Sequence, residues 1–253
     1  MVTRPPVAKI LALLWLSIVL GWAVVSAFHE LPFELRFALE SGRDPFGRPL
    51  FWLIPKAAGI SLFWTLFGLF ASLIVGGILG SLTALGPPLA QALSRHTTGF
   101  FLTFPTLLIA LFFAARLGPG YTTLALALVF SFFPGMSRLI STQLIQLKNT
   151  PLILNSQALG GSALWIFSKH LFPAIRPILL SKMPSWIAHA LITEATLSAL
   201  GVGLPLGETS LGGLVYLSKE YWFEAPHIAY TVLIPFGGTL LALDALLYKK
   251  DQL

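Results

Sequence analysis

Long apolar blocks alternate with short polar intervals along this chain. Residues 10–28, 57–85, about 99–115, about 121–137, about 183–206 and 226–243 are each nearly free of charge. A bilayer's hydrocarbon core takes about 20 helical residues, so the pattern predicts an all-α polytopic membrane protein with about six transmembrane helices. Block 10–28 follows Arg4 and Lys9. A cleaved leader is the competing reading, but its apolar region runs about 7–15 residues, and this block of 19 is longer. Block 57–85 carries Ser72, Gly76, Gly80 and Ala84, a small residue at every fourth position. Such a ridge lets a second helix approach closely, either within the subunit or between subunits. Pro105 predicts a kink or a half-helix break in the third block, and Pro134-Gly135 a kink in the fourth.

The polar intervals carry the remaining signals. Residues 29–56 balance Glu30, Glu34, Glu40 and Asp44 against Arg36, Arg43, Arg48 and Lys56. Phe33/Phe37 and Leu35/Leu39 are spaced for a short interfacial helix, and Gly42-Arg43-Asp44-Pro45-Phe46-Gly47-Arg48-Pro49 reads as a turn. Residues 207–225 read as a polar loop. The segment 151–173, PLILNSQALGGSALWIFSKHLFP, is the longest part of the second half that fits poorly in lipid. Ala158-Leu159-Gly160-Gly161-Ser162 divides it into two helix-sized pieces. It predicts a helix–turn–helix lying outside the membrane.

Composition narrows the function classes. The chain has 253 residues, 56% hydrophobic and 10% charged, whereas a soluble domain carries about 25% charged residues. There are no cysteines, which excludes disulfides and thiolate metal sites. The net charge is +6, and no acidic residue occurs between Asp44 and Glu194. The basic residues stand at the ends of spans rather than on one face, which argues against nucleic acid and for membrane flanks. With six spans, both termini, residues 86–98 and residues 138–182 share one side. That side holds ten Lys/Arg against six on the other, so the positive-inside rule makes it cytoplasmic. The N- and C-termini are therefore expected in the cytoplasm; the bacterial cytoplasmic (inner) membrane is the location implied by the family resemblance described below.

No Gly-Lys pair exists for a P-loop, His29-Glu30 lacks the second histidine of a zinc helix, and Gly201-Val202-Gly203 follows no βαβ pattern. The five histidines are dispersed. The chain is expected to be no enzyme and to bind no metal or cofactor of its own. Glu194 is the sharpest polar feature within a span. A carboxylate at membrane depth costs at least ~2.5 kcal/mol, so it faces a protein interior, a water-filled path or a partner. It reads equally as a pathway or gate group and as an interhelical packing contact. His189, five residues earlier, lies well round the helix and reads as packing.

Three stretches together resemble a known family. Residues 151–173 resemble the cytoplasmic signature of permease subunits of binding-protein-dependent ABC importers, Glu-Ala-Ala, three residues, Gly, nine residues, then Ile-x-Leu-Pro. Gly160 takes the Gly position and Phe172-Pro173 the Leu-Pro position. Leu159-Gly160-Gly161-Ser162, then Leu164, Ile166, Lys169 and His170, resemble the version in dipeptide, oligopeptide and nickel permeases. Residues 42–48 with Gly59-Ile60-Ser61-Leu62 resemble the family's Gly-Thr-Asp-x-x-Gly-Arg-Asp segment, and residues 194–203, 210–212 and 225–226 its fifth span and following loop. Leu154-Asn155-Ser156 replaces Glu-Ala-Ala, so the usual acidic contact is missing. Arg43 stands where Thr is usual and Pro49 where Asp is usual.

The resemblance implies a type I importer permease fold. It divides the chain into a tail and first helix (1–28), an extracytoplasmic segment (29–56) and a permease core (57–253) containing a coupling loop at 146–176. It implies that this loop docks on a cytoplasmic ATPase and that ATP and Mg bind on the ATPase partners. Two ATPase subunits or domains, a second homologous permease and an extracytoplasmic substrate-binding protein are the implied partners. The implied cargo is a di- or oligopeptide or a related small solute, with nickel or a nickel chelate as the alternative. A self-sufficient secondary transporter or channel using Glu194 is the competing function class. A membrane scaffold with a degenerate coupling loop, prompted by the lost Glu-Ala-Ala, is the third.

Overall fold

The computed structural model describes residues 6–27, 42–204 and 210–247. Among them the chain is helical throughout, the single extended feature being an isolated bridge between Arg43 and Pro49. The helices are α1 (Pro6–Ala27), α2 (Leu50–Leu85), α3 (Pro88–Thr103), α4 (Thr106–Leu117), α5 (Tyr121–Lys148), α6 (Pro151–Ala158), α7 (Ala163–Ile166), α8 (Phe172–Ala199), α9 (Leu211–Glu220) and α10 (Pro226–Leu247). A π-helical turn, Phe167–Leu171, joins α7 to α8.

Four single helices are long and apolar enough to cross a membrane: α1, α2, α5 and α10. The α3–α4 pair qualifies only jointly, bent by 92° at Phe104-Pro105. That gives up to five crossings by composition where the sequence pattern counts six. The difference is α8. It has 28 residues, about 42 Å at 1.5 Å per residue, but Arg176, Lys182, His189 and Glu194 dilute its apolar run. The break at Pro105 is the half-helix break that the sequence predicts. Pro134, by contrast, lies inside an uninterrupted α5 that runs on to Lys148.

Three further boundaries differ from expectation. The second span begins at Leu50, so residues 50–56 belong to α2 rather than to the segment before it. Leu53, Ile54 and Ala57 are buried against α9 and α10, and that burial outweighs the one ladder bond lost at Pro55. The expected polar loop 207–225 contains α9, whose Leu211, Leu214 and Leu217 enter the same apolar cluster. The fifth span starts upstream, at Phe172, and ends at Ala199. Gly201, at φ +74°, sits in the turn that follows, and the Leu197 carbonyl accepts the Val202 and Gly203 N–H groups at 2.9 and 3.1 Å. The expected interfacial helix around Phe33 and Phe37 lies outside the described residues.

Packing centres on α2 and α5. A Cβ on Gly76 would stand 2.8 Å from the Phe133 carbonyl oxygen, and one on Gly80 would stand 2.7 Å from that of Ser137. Ser72 donates to the Gly68 carbonyl at 2.6 Å and points toward the Leu128 carbonyl, 3.4 Å away. Ala84 is buried among Ile140 and Leu144. The ridge Ser72–Gly76–Gly80–Ala84 is therefore occupied by α5 of the same chain. Its absent side chains let two backbones meet at close range. The opposite face of α2 exposes Phe63, Phe67, Phe70, Ile74 and Ile78.

The turn before α2 is a built element. Asp44 is fully buried and accepts hydrogen bonds from the Phe46 N–H (3.0 Å), the Arg48 N–H (2.7 Å) and the Arg48 Nε (2.7 Å). Gly42 (φ +88°) and Gly47 (φ +77°) take left-handed conformations that other residues rarely tolerate. His227 Nε2, on the first turn of α10, lies 3.2 Å from the Arg43 carbonyl, which fastens the turn to α10.

Candidate functional site

Residues 151–171 fold as the predicted helix–turn–helix. Pro151 opens α6 at a first-turn position, where its missing N–H is harmless. Gly160 (φ +82°) makes the turn. A Cβ on Gly161 would stand 2.7 Å from the Ser156 carbonyl oxygen, so both glycines are needed. The Ser162 side chain caps α7 by accepting the Trp165 N–H at 3.3 Å.

The hairpin has a root and a tip. Ile153, Ile166, Leu171 and Ile175 are buried in one cluster with Ala84, Ile140 and Leu144. That root ties it to α2, α5 and α8. Lys148 Nζ adds a hydrogen bond to the Ala84 carbonyl at 3.1 Å, at the last turn of α2, where a cation suits the helix dipole. The tip carries Leu159 (89% exposed) and Leu164 (78% exposed). Leu154, Asn155 and Pro173 are exposed as well, Ser156 is half-buried, and His170 is half-buried edge-on to Trp165 with ring centroids 5.1 Å apart. Ile166 differs from the other named residues by being part of the root.

From α7 through the π turn into α8 the helical path is unbroken. It spans roughly 55 Å at 1.5 Å per residue and ends near Glu194. Trp165, 47% exposed beside the tip, belongs to the same surface; its apolar bulk next to the Ser162 cap was a sequence signal for it.

Glu194 is fully buried. Ser61 of α2 donates to its Oε2 at 3.0 Å, and Ser198, one turn on, donates to its Oε1 at 3.1 Å. Ser61 in turn accepts the Leu211 N–H at 2.9 Å, and Ser210 accepts the Gly213 N–H at 2.9 Å as the cap of α9. Close packing makes this possible: a Cβ on Gly212 would stand 2.6 Å from Ser198 Cβ. The carboxylate thus sits at the N-terminus of α9, where unpaired N–H groups and the helix dipole favour an anion. It joins α2, α8 and α9. His189 is exposed on a different face of α8 and makes no part of the cluster. Sequence reasoning named Glu194 but not its partners. Ser198 at i+4 was readable from spacing, whereas Ser61, 133 positions away, was not.

The fold and the hairpin define a class: helical membrane permeases that carry an exposed hairpin between two membrane helices. The family profile described as "Binding-protein-dependent transport system inner membrane component" matches residues 72–246. A relative from Brucella suis biovar 1, named as a peptide transport system permease protein, is 30% identical over 197 residues, covering 76% of this chain and 66% of the relative. The oligopeptide transport system permease protein OppC of Bacillus subtilis is 28% identical over 219 residues, covering 82% of this chain and 72% of that protein. A chain of the MetNI methionine ABC transporter, in an inward-facing conformation, superposes with a TM-score of 0.63 at 20% identity, over 77% of this chain and 93% of that one. The chain spans about two thirds of the length of the Brucella relatives it matches. It belongs to the family of binding-protein-dependent transport system inner membrane components, the permease components of ABC importers.

Proposed function

We propose that this chain is one permease subunit of an ATP-driven importer for di- or oligopeptides or a closely related small solute. It pairs with a second, homologous permease. Two cytoplasmic ATPase subunits or domains bind ATP and Mg, and an extracytoplasmic protein delivers the substrate. The observation that carries this reading is the hairpin: an apolar tip, Leu159 and Leu164, left open to solvent on a root buried against α2, α5 and α8. Exposed leucines on a rigid hairpin fit a groove on a soluble partner. The continuous helical path from Ala163 into α8 carries a displacement of the tip to the Glu194 junction. The membrane helices then alternate between inward- and outward-open states. Peptide as cargo rests on the names of the Brucella and Bacillus relatives.

The charge distribution supports a cytoplasmic side for the hairpin and both termini, with α8 read as the sixth crossing. The competing reading of Glu194 as an ion-coupling site loses ground, because both carboxylate oxygens accept protein hydroxyls, those of Ser61 and Ser198. The Cys-free sequence permits a direct test. Leu159→Cys and Leu164→Cys, made singly, are probed with a membrane-impermeant thiol reagent and with cross-linking to the companion ATPase. The expected result is labelling from the cytoplasmic side only, cross-linking to the ATPase, and uptake of labelled dipeptide that needs the full assembly. Labelling from the outer face of intact cells, or gradient-driven uptake by this chain alone, would overturn the proposal.

A further inference from the structure

The π turn Phe167–Leu171 between α7 and α8 brings residues five apart round to one side. In an α-helix each residue advances about 100°, so positions five apart stand about 140° from each other round the axis. A turn closed by an i→i+5 bond takes up one extra residue and removes most of that offset. Here the Phe172 N–H donates to the Phe167 carbonyl, five residues back. Two pairs show the result. Ile166 and Leu171, 4% and 2% exposed, are buried together in the root of the hairpin, with Ile175 in the same cluster one α turn later. On the outer side, Trp165 and His170 meet edge-on.

The same residues have a second arrangement open to them. Chains take the π form rarely, mostly as single turns at functional sites, so particular contacts must hold it here. One is the seat of Ile166 among Ala84, Ile140 and Leu144. Another is Pro173, which has no N–H for the Lys169 carbonyl and whose ring would crowd that carbonyl in an α path. Neither contact forbids the α form, because α8 already runs through Pro177 and Pro184. In a continuous α-helix, Ile166 swings away from Leu171 and Ile175, and Trp165 parts from His170. The tip then turns about 100° round the axis of α8, the advance of the one residue released. Gly160 and Gly161 link α7 to α6, and their backbone freedom lets α7 turn while Ile153 keeps its place in the root.

We propose that the π turn is the joint of the hairpin. It seats Ile166 in the root at rest, and it converts to α-helix when nucleotide closes the companion ATPase on Leu159 and Leu164. The tip then rotates about α8 and Ile166 leaves its seat. This rests on the reading of the hairpin as the ATPase-docking element, and it adds the movement that docking drives. Both registers use the same backbone, so the change is a shift between two packings rather than a gradual bend.

The test uses the full assembly of this chain, its companion permease and the ATPase in lipid nanodiscs. The chain has no cysteine, so Ile166→Cys introduces its one thiol. A maleimide reagent, read on this chain after separation, reports exposure with and without the non-hydrolysable nucleotide AMP-PNP. Labelling is expected to be slow without nucleotide and to rise about tenfold with it, as a minor register populated at up to about 10% becomes the major one. Deleting Ser168, an exposed residue of the turn, gives the second test. It leaves Ile166 and Leu171 four apart, the spacing that an α-helix keeps on one face, so the root stays seated with no spare residue to release. The deletion variant should bind the ATPase as the wild type does and keep Ile166→Cys protected in AMP-PNP. If the deletion variant fails to fold, the labelling of Ile166→Cys in the full-length chain decides alone. Equal labelling with and without AMP-PNP in an assembly that holds the ATPase would overturn the joint and leave the docking reading standing. A nucleotide-dependent rise in the deletion background would overturn it too. Failure of the ATPase to bind the wild-type hairpin would sink the docking reading first, and the joint with it.

Discussion

The Ser61 hydroxyl donates to Glu194 Oε2 at 3.0 Å and accepts the Leu211 N–H at 2.9 Å, so one side chain of α2 ties α8 to the start of α9. The carboxylate completes the junction by accepting the Ser198 hydroxyl on its other oxygen at 3.1 Å. An acid in a membrane protein is a functional suspect by default. Here it is enclosed by protein with each oxygen hydrogen-bonded once, which makes it a latch between three helices.

Removing the latch should cost more than softening it. Glu194→Ala leaves two buried donors, the Ser61 and Ser198 hydroxyls, without this acceptor, at about 1–3 kcal/mol each, and should lower the detergent-solubilised unfolding midpoint sharply. Glu194→Gln keeps one acceptor oxygen and is expected to cost about 1–2 kcal/mol. Ser61→Ala should fall between them, because both the Glu194 and Leu211 bonds are lost. Wild-type thermal stability in Glu194→Ala would refute the latch.

The α2–α5 contact predicts a contrast between neighbouring glycines. Gly80→Val sets a Cβ against the Ser137 carbonyl and should destabilise by about 1–3 kcal/mol through overpacking. Gly77→Ala meets nothing within 4 Å and should be neutral or gain up to about 1 kcal/mol from helix propensity. Paired unfolding curves for the two variants check this, and equal effects would contradict the packing described.

At the hairpin, tip and root should separate cleanly. Leu159→Asp and Leu164→Asp alter exposed positions and should shift stability by no more than about 0.5 kcal/mol, while abolishing co-purification of the ATPase and peptide uptake. Ile166→Ala opens a cavity in the root and should cost about 2–5 kcal/mol. Retained ATPase binding in both tip variants would remove the basis for the proposed coupling.

The Asp44–Arg48 turn gives a fourth expectation. Asp44→Ala removes the carboxylate that a guanidinium only 4% exposed donates to, and breaking a buried pair in this way costs about 3–5 kcal/mol. Arg48→Lys keeps the charge but loses the Nε geometry at 2.7 Å, so it should rescue only partly. Protease sensitivity between residues 42 and 50 is the readout. Equal resistance in wild type and Asp44→Ala would show that the pair does not hold the turn.

The legible parts of this protein were those with a local cause. Gly160 and Gly161 between two short apolar helices announce the hairpin, because only glycine takes φ +82° without strain. Pro105 announces the break between α3 and α4. Residues 211–220 were misread as loop because Leu211, Leu214 and Leu217 are scattered among Gly, Ser and Lys. Their burial comes from α2 and α10, far off in sequence. Likewise Pro55 and Lys56 looked like a boundary, yet Leu53 and Ile54 are pulled into α2 by the same cluster.

By itself the sequence determined the solvent of this chain, the approximate positions of most of its long apolar helices, and the hairpin that follows α5. Apolar length and glycine conformation are properties of contiguous residues, so no partner is needed to read them. Only the tertiary structure decided that the Ser72–Ala84 ridge faces α5, that Ile166 is root while Leu164 is tip, and that Glu194 closes the start of α9. Each of these depends on which distant segment fills a space or supplies a hydrogen bond, and that choice is made when the helices pack.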